Sequence, residues 1–449
     1  MSSRDLDVVL LGATGFVGRL IAAHLIEAAP EGVRIGLAAR SRAKLDALVA
    51  DIGPHAARAE LIEIDVRDWA DLQALVARTT VVATTVGPYI RDGMPLVRAC
   101  AAAGTHYCDL TGEVLFVRQS AAECHETAAA SGARIVHSVG FDSIPSDLGV
   151  LQTASRAAAD GEGTLEDTVL QVRSLRGGFS GGTIDSARQQ AIQARTDPAA
   201  RAALADQYAL SPDRANEPEG DDGRTDGRAP HTPAPAQQRP DALGPLATVT
   251  PLGPAVEKVV RTALGAVKVR QNPAGRWTAP FVMADFNTRI VRRSNALLGW
   301  AYGRGFRYRE VMDLGRGPQA PFVGAGISAG LLAGLAGMSF APTRAVLDRF
   351  LPKPGEGPSQ ESMARGRFVM DIDARTSTGA LYRTRVAAEL DPGYTGTAVM
   401  MGQAALALAL DGDRLPDRAG VLTPATGIGE VLIERLVAQG FTFDTERID

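Results

Sequence analysis

The stretch DVVLLGATGFVGRLIAAHLIEA, residues 7–28, decides the fold. Residues 7–12, DVVLLG, form a short apolar run ending in glycine, the mark of a buried strand bounded by a turn. The segment GFVGRLIAAHLIEA then brings Val17, Leu20, Ile21, His24 and Leu25 onto one helical face. Between strand and helix stand Gly12, Gly15 and Gly18, spaced G-x-x-G-x-x-G. Small residues there let backbone N–H groups approach a pyrophosphate, and the helix N-terminus favours its negative charge. The triplet alone is a weak signal; its place inside a β-α-β unit at the chain start makes it a dinucleotide-binding loop.

The same rhythm continues outward. A strand Arg34-Ile-Gly-Leu-Ala-Ala runs into Arg40-Ser-Arg and a helix around Lys44 to Ala50, and a third strand ends at Asp65. Further strands at Thr80–Val86, His106–Asp109 and Ala133–Val139 alternate with helices Met94–Ala103 and Ser120–Ser131. Strands alternating with helices predict a doubly wound parallel sheet, a Rossmann-type domain over 1–149. After Gly149 the pattern changes to a strand near Thr168–Arg173, the loop GGFSGGT, a helix over Ile184–Leu204 and strand-like alternation at Phe281–Arg289. Two runs, Arg367–Ala374 and Gly379–Leu390, read as an antiparallel hairpin. A second, mixed α+β domain over 150–394 is expected, then C-terminal helices over 395–449. Residues 210–247, rich in Pro, Asp, Gly and Arg, read as a mobile loop within the second domain.

Composition narrows the function classes. A chain of 449 residues, 45% hydrophobic, supports two or three domains with proper cores. A formal net charge of −4 leaves no basic surplus for nucleic acid. Cys100, Cys108 and Cys124 are odd in number and lack Cys-x-x-Cys spacing, which suits a reducing cytosol. The opening Met1-Ser-Ser-Arg-Asp-Leu-Asp has no apolar h-region, so a cytoplasmic protein is expected.

Cofactor choice falls at the end of the second strand, where NAD sites carry an acid for the ribose 2′-OH. Here stand Arg40, Ser41, Arg42 and Lys44, cations and a hydroxyl that suit a 2′-phosphate. NADP is therefore the expected cofactor. Asp65 is placed to contact the adenine. The nicotinamide pocket should lie beyond the carboxyl ends of the strands, where three loops qualify: Thr84–Ile90, His106–Glu113 and Ser138–Asp147. Gly87 and Pro88 give a close approach, and Tyr89 is the first choice of proton donor, with Asp109, Glu113 and Asp142 nearby. Capping is an equal reading for Asp109 and Glu113. His106 and His137, at strand edges, read as core or loop residues, and no cluster has metal-ligand spacing. A Tyr-x-x-x-Lys pair is absent, which excludes the usual short-chain dehydrogenase chemistry. Two Gly-x-Ser-x-Gly matches, at Ser180 and Ser328, lack a suitable later histidine and carry no hydrolase reading.

GATGFVG (12–18), TTVGPY (84–89), THYCDLTGE (105–113) and GFDSIPSDLG (140–149), in this order, resemble the saccharopine dehydrogenase-like family, and within it the trans-acting enoyl reductases that serve lipid-forming polyketide synthases. The resemblance continues through RSLRGGFSGGT, NTRIVRRSNALLGWAYGRGFRYRE, DPGY and GVLTPA, nearly the whole chain. It implies a Rossmann domain with the second domain inserted in it and C-terminal helices returning to the first. By the same resemblance, Gly12, Thr14, Gly15, Phe16 and Val17 hold the pyrophosphate, Arg40 and Ser41 meet the 2′-phosphate, and Gly87, Pro88 and Tyr89 border the nicotinamide. The implied activity is NADPH-dependent reduction of an α,β-unsaturated acyl or polyketide thioester, delivered on an acyl carrier domain. Where this chain reads GFDSIPSDLG, the amino-acid dehydrogenases of the family differ; a saccharopine or amino-acid-type dehydrogenase is one alternative, and an NADP-binding sensor or scaffold without turnover another. Arg289, Arg292 and Arg293 are expected to form a cationic docking surface for the carrier.

Residues 318–342 contain no charged side chain. The segment is open to three readings: a buried or acyl-lining element, peripheral contact with the inner face of the cell membrane through 318–353, or a span. Arg344, Arg349 and Lys353 follow it at helical spacing, as on an anionic membrane surface. A homodimer is a further expectation.

Overall fold

The computed structural model describes residues 4–177, 181–218, 269–272, 274–339 and 357–449. Along them run β1 (Leu6–Leu11), β2 (Ile35–Ala39), β3 (Glu60–Glu63), β4 (Thr79–Thr84), β5 (His106–Asp109) and β6 (Arg134–Val136). Then come β7 (Leu165–Arg176), β8 (Arg270–Gln271), β9 (Trp277–Pro280), β10 (Arg307–Gly315), β11 (Arg367–Thr376), β12 (Leu381–Ala388), β13 (Gly420–Leu422) and β14 (Thr442–Arg447).

The first sheet has the order β3-β2-β1-β4-β5-β6-β13. Its pairs are parallel, from Val8 opposite Ile35 and Val81 to Val421 opposite Ile135. Apolar runs such as Val8–Leu11 and Ile35–Ala39 are buried because helices cover both faces of such a sheet. The strand order reverses between β1 and β4, and the crevice outside their carboxyl ends is where this architecture binds ligands.

The second sheet has the order β14-β12-β11-β7-β10-β9-β8. Only β7 and β10 pair in parallel; the expected hairpin is β11–β12, antiparallel from Phe368↔Ala388 to Arg375↔Leu381. The chain's end does more than return as helices: β13 closes the edge of the first sheet and β14 that of the second.

Two expectations are corrected. Strand-like alternation at Phe281–Arg289 gives way to a helix, Ala284–Leu297, with the preceding strand confined to β9. Arg289, Arg292 and Arg293 on that helix are 1%, 3% and 3% exposed, so they form no docking surface. Their guanidiniums donate inward: Arg289 to the carbonyls of Leu204 (2.7 Å) and Asp206 (3.0 Å), and Arg293 to those of Leu210 (2.8 Å) and Val421 (2.7 Å). Arg292 lies over the Tyr208 ring. Buried carbonyls without secondary-structure partners need donors, and these arginines supply them.

The apolar segment forms the helix Ala320–Ser339. Ala320 packs with Val269, Trp277 and Leu314, while Phe322 and Val323 stay exposed. Among the described residues no helix is long and apolar enough to cross a membrane. Most of the loop read as mobile, 219–247, and the basic residues Arg344, Arg349 and Lys353 lie outside the described residues.

Candidate functional site

The nucleotide loop is built by what its glycines leave out. Gly12 has φ +90°, a conformation costly for any residue with a Cβ, and a Cβ there would strike the Thr85 hydroxyl. Gly18 lies against the Gly12 carbonyl, with no room for a side chain. α1 (Phe16–Ala28) begins at Gly15 with no side-chain cap, so the N–H groups of Phe16, Val17 and Gly18 have no intrahelical acceptor. Bare backbone at a helix N-terminus fits a pyrophosphate.

At the end of β2, Arg40 is exposed and Ser41 caps α2 (Arg42–Ile52) by accepting the Lys44 N–H at 3.4 Å. Arg42 pairs with Asp46 at 3.0 Å, whereas among the described residues no carboxylate pairs with Arg40 or Lys44. Two free cations at the β2 end suit a 2′-phosphate. Asp65 is exposed and accepts the Arg67 N–H at 3.1 Å.

Gly87 is exposed and joined to Pro88 by a cis peptide. Tyr89, 5% exposed, turns inward: its hydroxyl donates to the Thr84 carbonyl at 3.1 Å and accepts the Leu110 N–H at 3.2 Å. Burial, and next the Asp109 charge, hold its phenol well above the ordinary range. Glu113 accepts the N–H groups of Tyr89 (3.0 Å) and Ile90 (2.7 Å) and the Ser186 hydroxyl (2.6 Å), binding the two loops together. Burial raises its pKa.

Asp109 is completely buried and fully engaged. One oxygen meets the Tyr107 hydroxyl (2.9 Å) and His137 Nδ1 (2.7 Å); the other accepts the N–H groups of Thr111 (3.0 Å) and Ser138 (2.9 Å). His137 Nε2 lies 2.8 Å from Ser120 Oγ. Ser120, His137 and Asp109 thus have the connectivity of a nucleophile, base and orienting acid, yet each is at 0% exposure, sealed from any substrate. Ser138 adopts φ 66° with its hydroxyl on the Thr111 carbonyl at 2.7 Å, a strained position just past β6 that no residue pattern announces.

Asp142 differs from the other candidates. It is half-buried, opposite Gly112, and among the described residues no group donates a hydrogen bond to it. Burial pushes its carboxyl up to about 6.

The motif GFDSIPSDLG otherwise serves the junction between the sheets. Asp147, on the helix Ile144–Ala159, accepts the Ala425 N–H at 2.8 Å and the Ser294 hydroxyl, and burial pushes it up to about 7. Glu310 of β10, also pushed to about 7 by burial, accepts from the Tyr308 hydroxyl (2.9 Å) and Asn287 (3.0 Å). Sequence reading gave Tyr394 of DPGY no role; it is buried and meets the Phe16 ring edge-on at 5.0 Å, joining the nucleotide loop to the second domain.

Comparison with known proteins agrees with this geometry. Residues 8–136 match the saccharopine dehydrogenase NADP binding domain, so the segment that supplies β1 to β6 is an NADP-binding domain. A relative in Mycobacterium tuberculosis (strain H37Rv) is 46% identical, covering 99% of this chain and 98% of its own. The trans-acting enoyl reductase of Mycobacterium bovis (strain BCG / Pasteur 1173P2) is 43% identical, covering 100% and 99%. Apo saccharopine dehydrogenase (L-Glu forming) from Saccharomyces cerevisiae shares the fold, with a TM-score of 0.50 at 14% identity over 98% of this chain and 99% of that one. The chain belongs to the saccharopine dehydrogenase-like family, in its trans-acting enoyl reductase branch.

Proposed function

We propose that the protein reduces the carbon–carbon double bond of an α,β-unsaturated acyl or polyketide thioester in lipid assembly, acting in trans on a synthase that presents the thioester on an acyl carrier domain. The observation that carries this reading is identity of 43% along essentially the full length of a trans-acting enoyl reductase, together with the NADP-binding domain. NADPH, when bound, supplies a hydride, for which the acceptor is the β-carbon of the thioester.

The chain's own part is to bind, orient and protonate. Backbone N–H groups from Gly12, Thr14, Gly15, Phe16, Val17 and Gly18 hold the pyrophosphate. Arg40, Ser41 and Lys44 receive the 2′-phosphate, and Gly87 and Pro88 border the nicotinamide. Tyr89 and Asp109 spend their polar atoms on backbone and neighbouring side chains, which suits them to positioning the three loops. Asp142 is our proton donor: an acid near pH 6, half-buried and without a competing donor, can give its O–H proton to the α-carbon as the new C–H bond forms. The exposed Phe322 and Val323 are the side chains that peripheral contact with a lipid layer would use.

Purified protein incubated with NADPH and a short 2-enoyl thioester tests the reading. Consumption of NADPH matched by saturated thioester is expected; NADPH binding without any saturated product from a series of enoyl thioesters overturns it.

A further inference from the structure

At the end of β7, Arg176 stands directly opposite Arg367 of β11. Like charges in that position repel, and among the described residues no carboxylate pairs with either one. Arg176 and Gly177 line an open cavity of about 390 Å³ together with Ser359, Glu361, Ser362 and Arg365. Glu361 is committed to Arg365 one helical turn away. Asp391, 1% exposed, packs behind the backbone of Gly177 and Gly366. Among the described lining residues Arg176 is thus the cation that no carboxylate neutralises, and the mouth of the cavity is left cationic, with two serine hydroxyls beside it.

The cavity adjoins the nucleotide loop on both sides. Gly357, two residues before Ser359, lies so close to the Phe16 ring that a Cβ would overlap it. Pro392 touches Gly177, and Tyr394, two residues on, meets Phe16 edge-on. An anion seated here would be neighbour to the loop that opens α1.

We propose that this cavity holds the phosphate of a phosphopantetheine arm, the group that carries an acyl thioester on both coenzyme A and acyl carrier domains. The inference rests on the reading of the chain as an enoyl thioester reductase. Arg176 and Arg365 offer planar N–H forks matched to phosphate oxygens, and the hydroxyls of Ser359 and Ser362 complete the donor set. The phosphate would also relieve the repulsion between Arg176 and Arg367. The pantetheine chain then leads past Tyr394 and Phe16 toward the cofactor loop.

Kinetics with one enoyl group on different carriers test this. The phosphopantetheine thioester should have a KM roughly tenfold or more below that of the pantetheine thioester, as expected for a charge-assisted contact. R176A, and independently R365A, should bring that ratio close to one. The coenzyme A and carrier-domain thioesters should both weaken in R176A, and the lower of their two wild-type KM values identifies the source. Equal KM values for the phosphorylated and unphosphorylated thioesters overturn the proposal while leaving the reductase reading intact. So does a loss of NADPH affinity in R176A with the ratio unchanged, which would give the cavity to the cofactor. If no thioester is turned over in any form, the reductase reading fails. Titration calorimetry with free phosphopantetheine then decides separately, with heat lost in R176A in favour of the cavity and no binding to the wild type against it.

Discussion

The carbonyl oxygen of Gly12 lies where a Cβ on Gly18 would stand. Gly18→Ala places a methyl group against that oxygen, so NADPH affinity should fall by more than tenfold with some loss of thermal stability; nicotinamide fluorescence and a melting curve read the two effects. Arg40→Glu puts an acid where we propose that the 2′-phosphate sits, and NADPH affinity should drop on the order of ten- to a hundredfold with NADH affinity unchanged. Equal weakening for both cofactors would remove Arg40 from the site. In the proton-donor role proposed for Asp142, activity requires the protonated carboxyl, so kcat/KM should decline as pH rises through about 6. Asp142→Asn should abolish that limb and lower kcat roughly a hundredfold. A pH profile identical to the wild type would return the donor role to water or another group. The strand, glycine turn and helix over residues 6–28 were legible in the sequence because they depend on residues a few positions apart. The inward turn of Tyr89 was not, since its hydroxyl answers to Thr84 at the end of β4 and to Leu110 after β5.

At the scale of elements, the helix Ala284–Leu297 shows where pattern reading fails. Its buried face carries three arginines beside Phe286, Ile290 and Val291, so polarity no longer marks the solvent side. The partners that make those cations tolerable, Leu204, Leu210 and Val421 among them, come from segments far along the chain. Arg293→Ala would strand two buried carbonyls, and a loss of roughly 2–5 kcal/mol is expected in denaturant unfolding. The helix Ile144–Ala159 carries the opposite kind of group. Asp147 has its folded pKa raised to about 7, so it favours the folded state when protonated and costs stability as pH rises from near 4 toward 7. Asp147→Asn lacks this dependence; its melting temperature relative to wild type should climb between about pH 4 and about pH 7 and level off above. Parallel melting curves across that window would show that Asp147 stays charged in the fold.

Across the whole molecule, the last thirty or so residues hold both sheets at once. β13 pairs with β6 through Val421 and Ile135, and β14 pairs with β12 through Phe443 and Val386. A chain ending at Leu410 should therefore lose cooperative melting and NADPH binding together, although the nucleotide loop itself is intact; retained tight NADPH binding would show that the first sheet folds without its seventh strand. The alternation of strands and helices before residue 139 made the first sheet readable, because each β-α unit is local. The late return of β13 and β14 was not readable in the same way, since a three-residue strand such as Gly420–Leu422 has too little pattern of its own. The measurement that bears most directly on the reductase reading is isotope tracing. With NADPH deuterated at the transferable position and a 2-enoyl thioester, the saturated product should carry the label at its β-carbon, and Asp142→Asn should slow its appearance. Unlabelled product, or label at the α-carbon, would contradict hydride transfer from NADPH to the β-carbon.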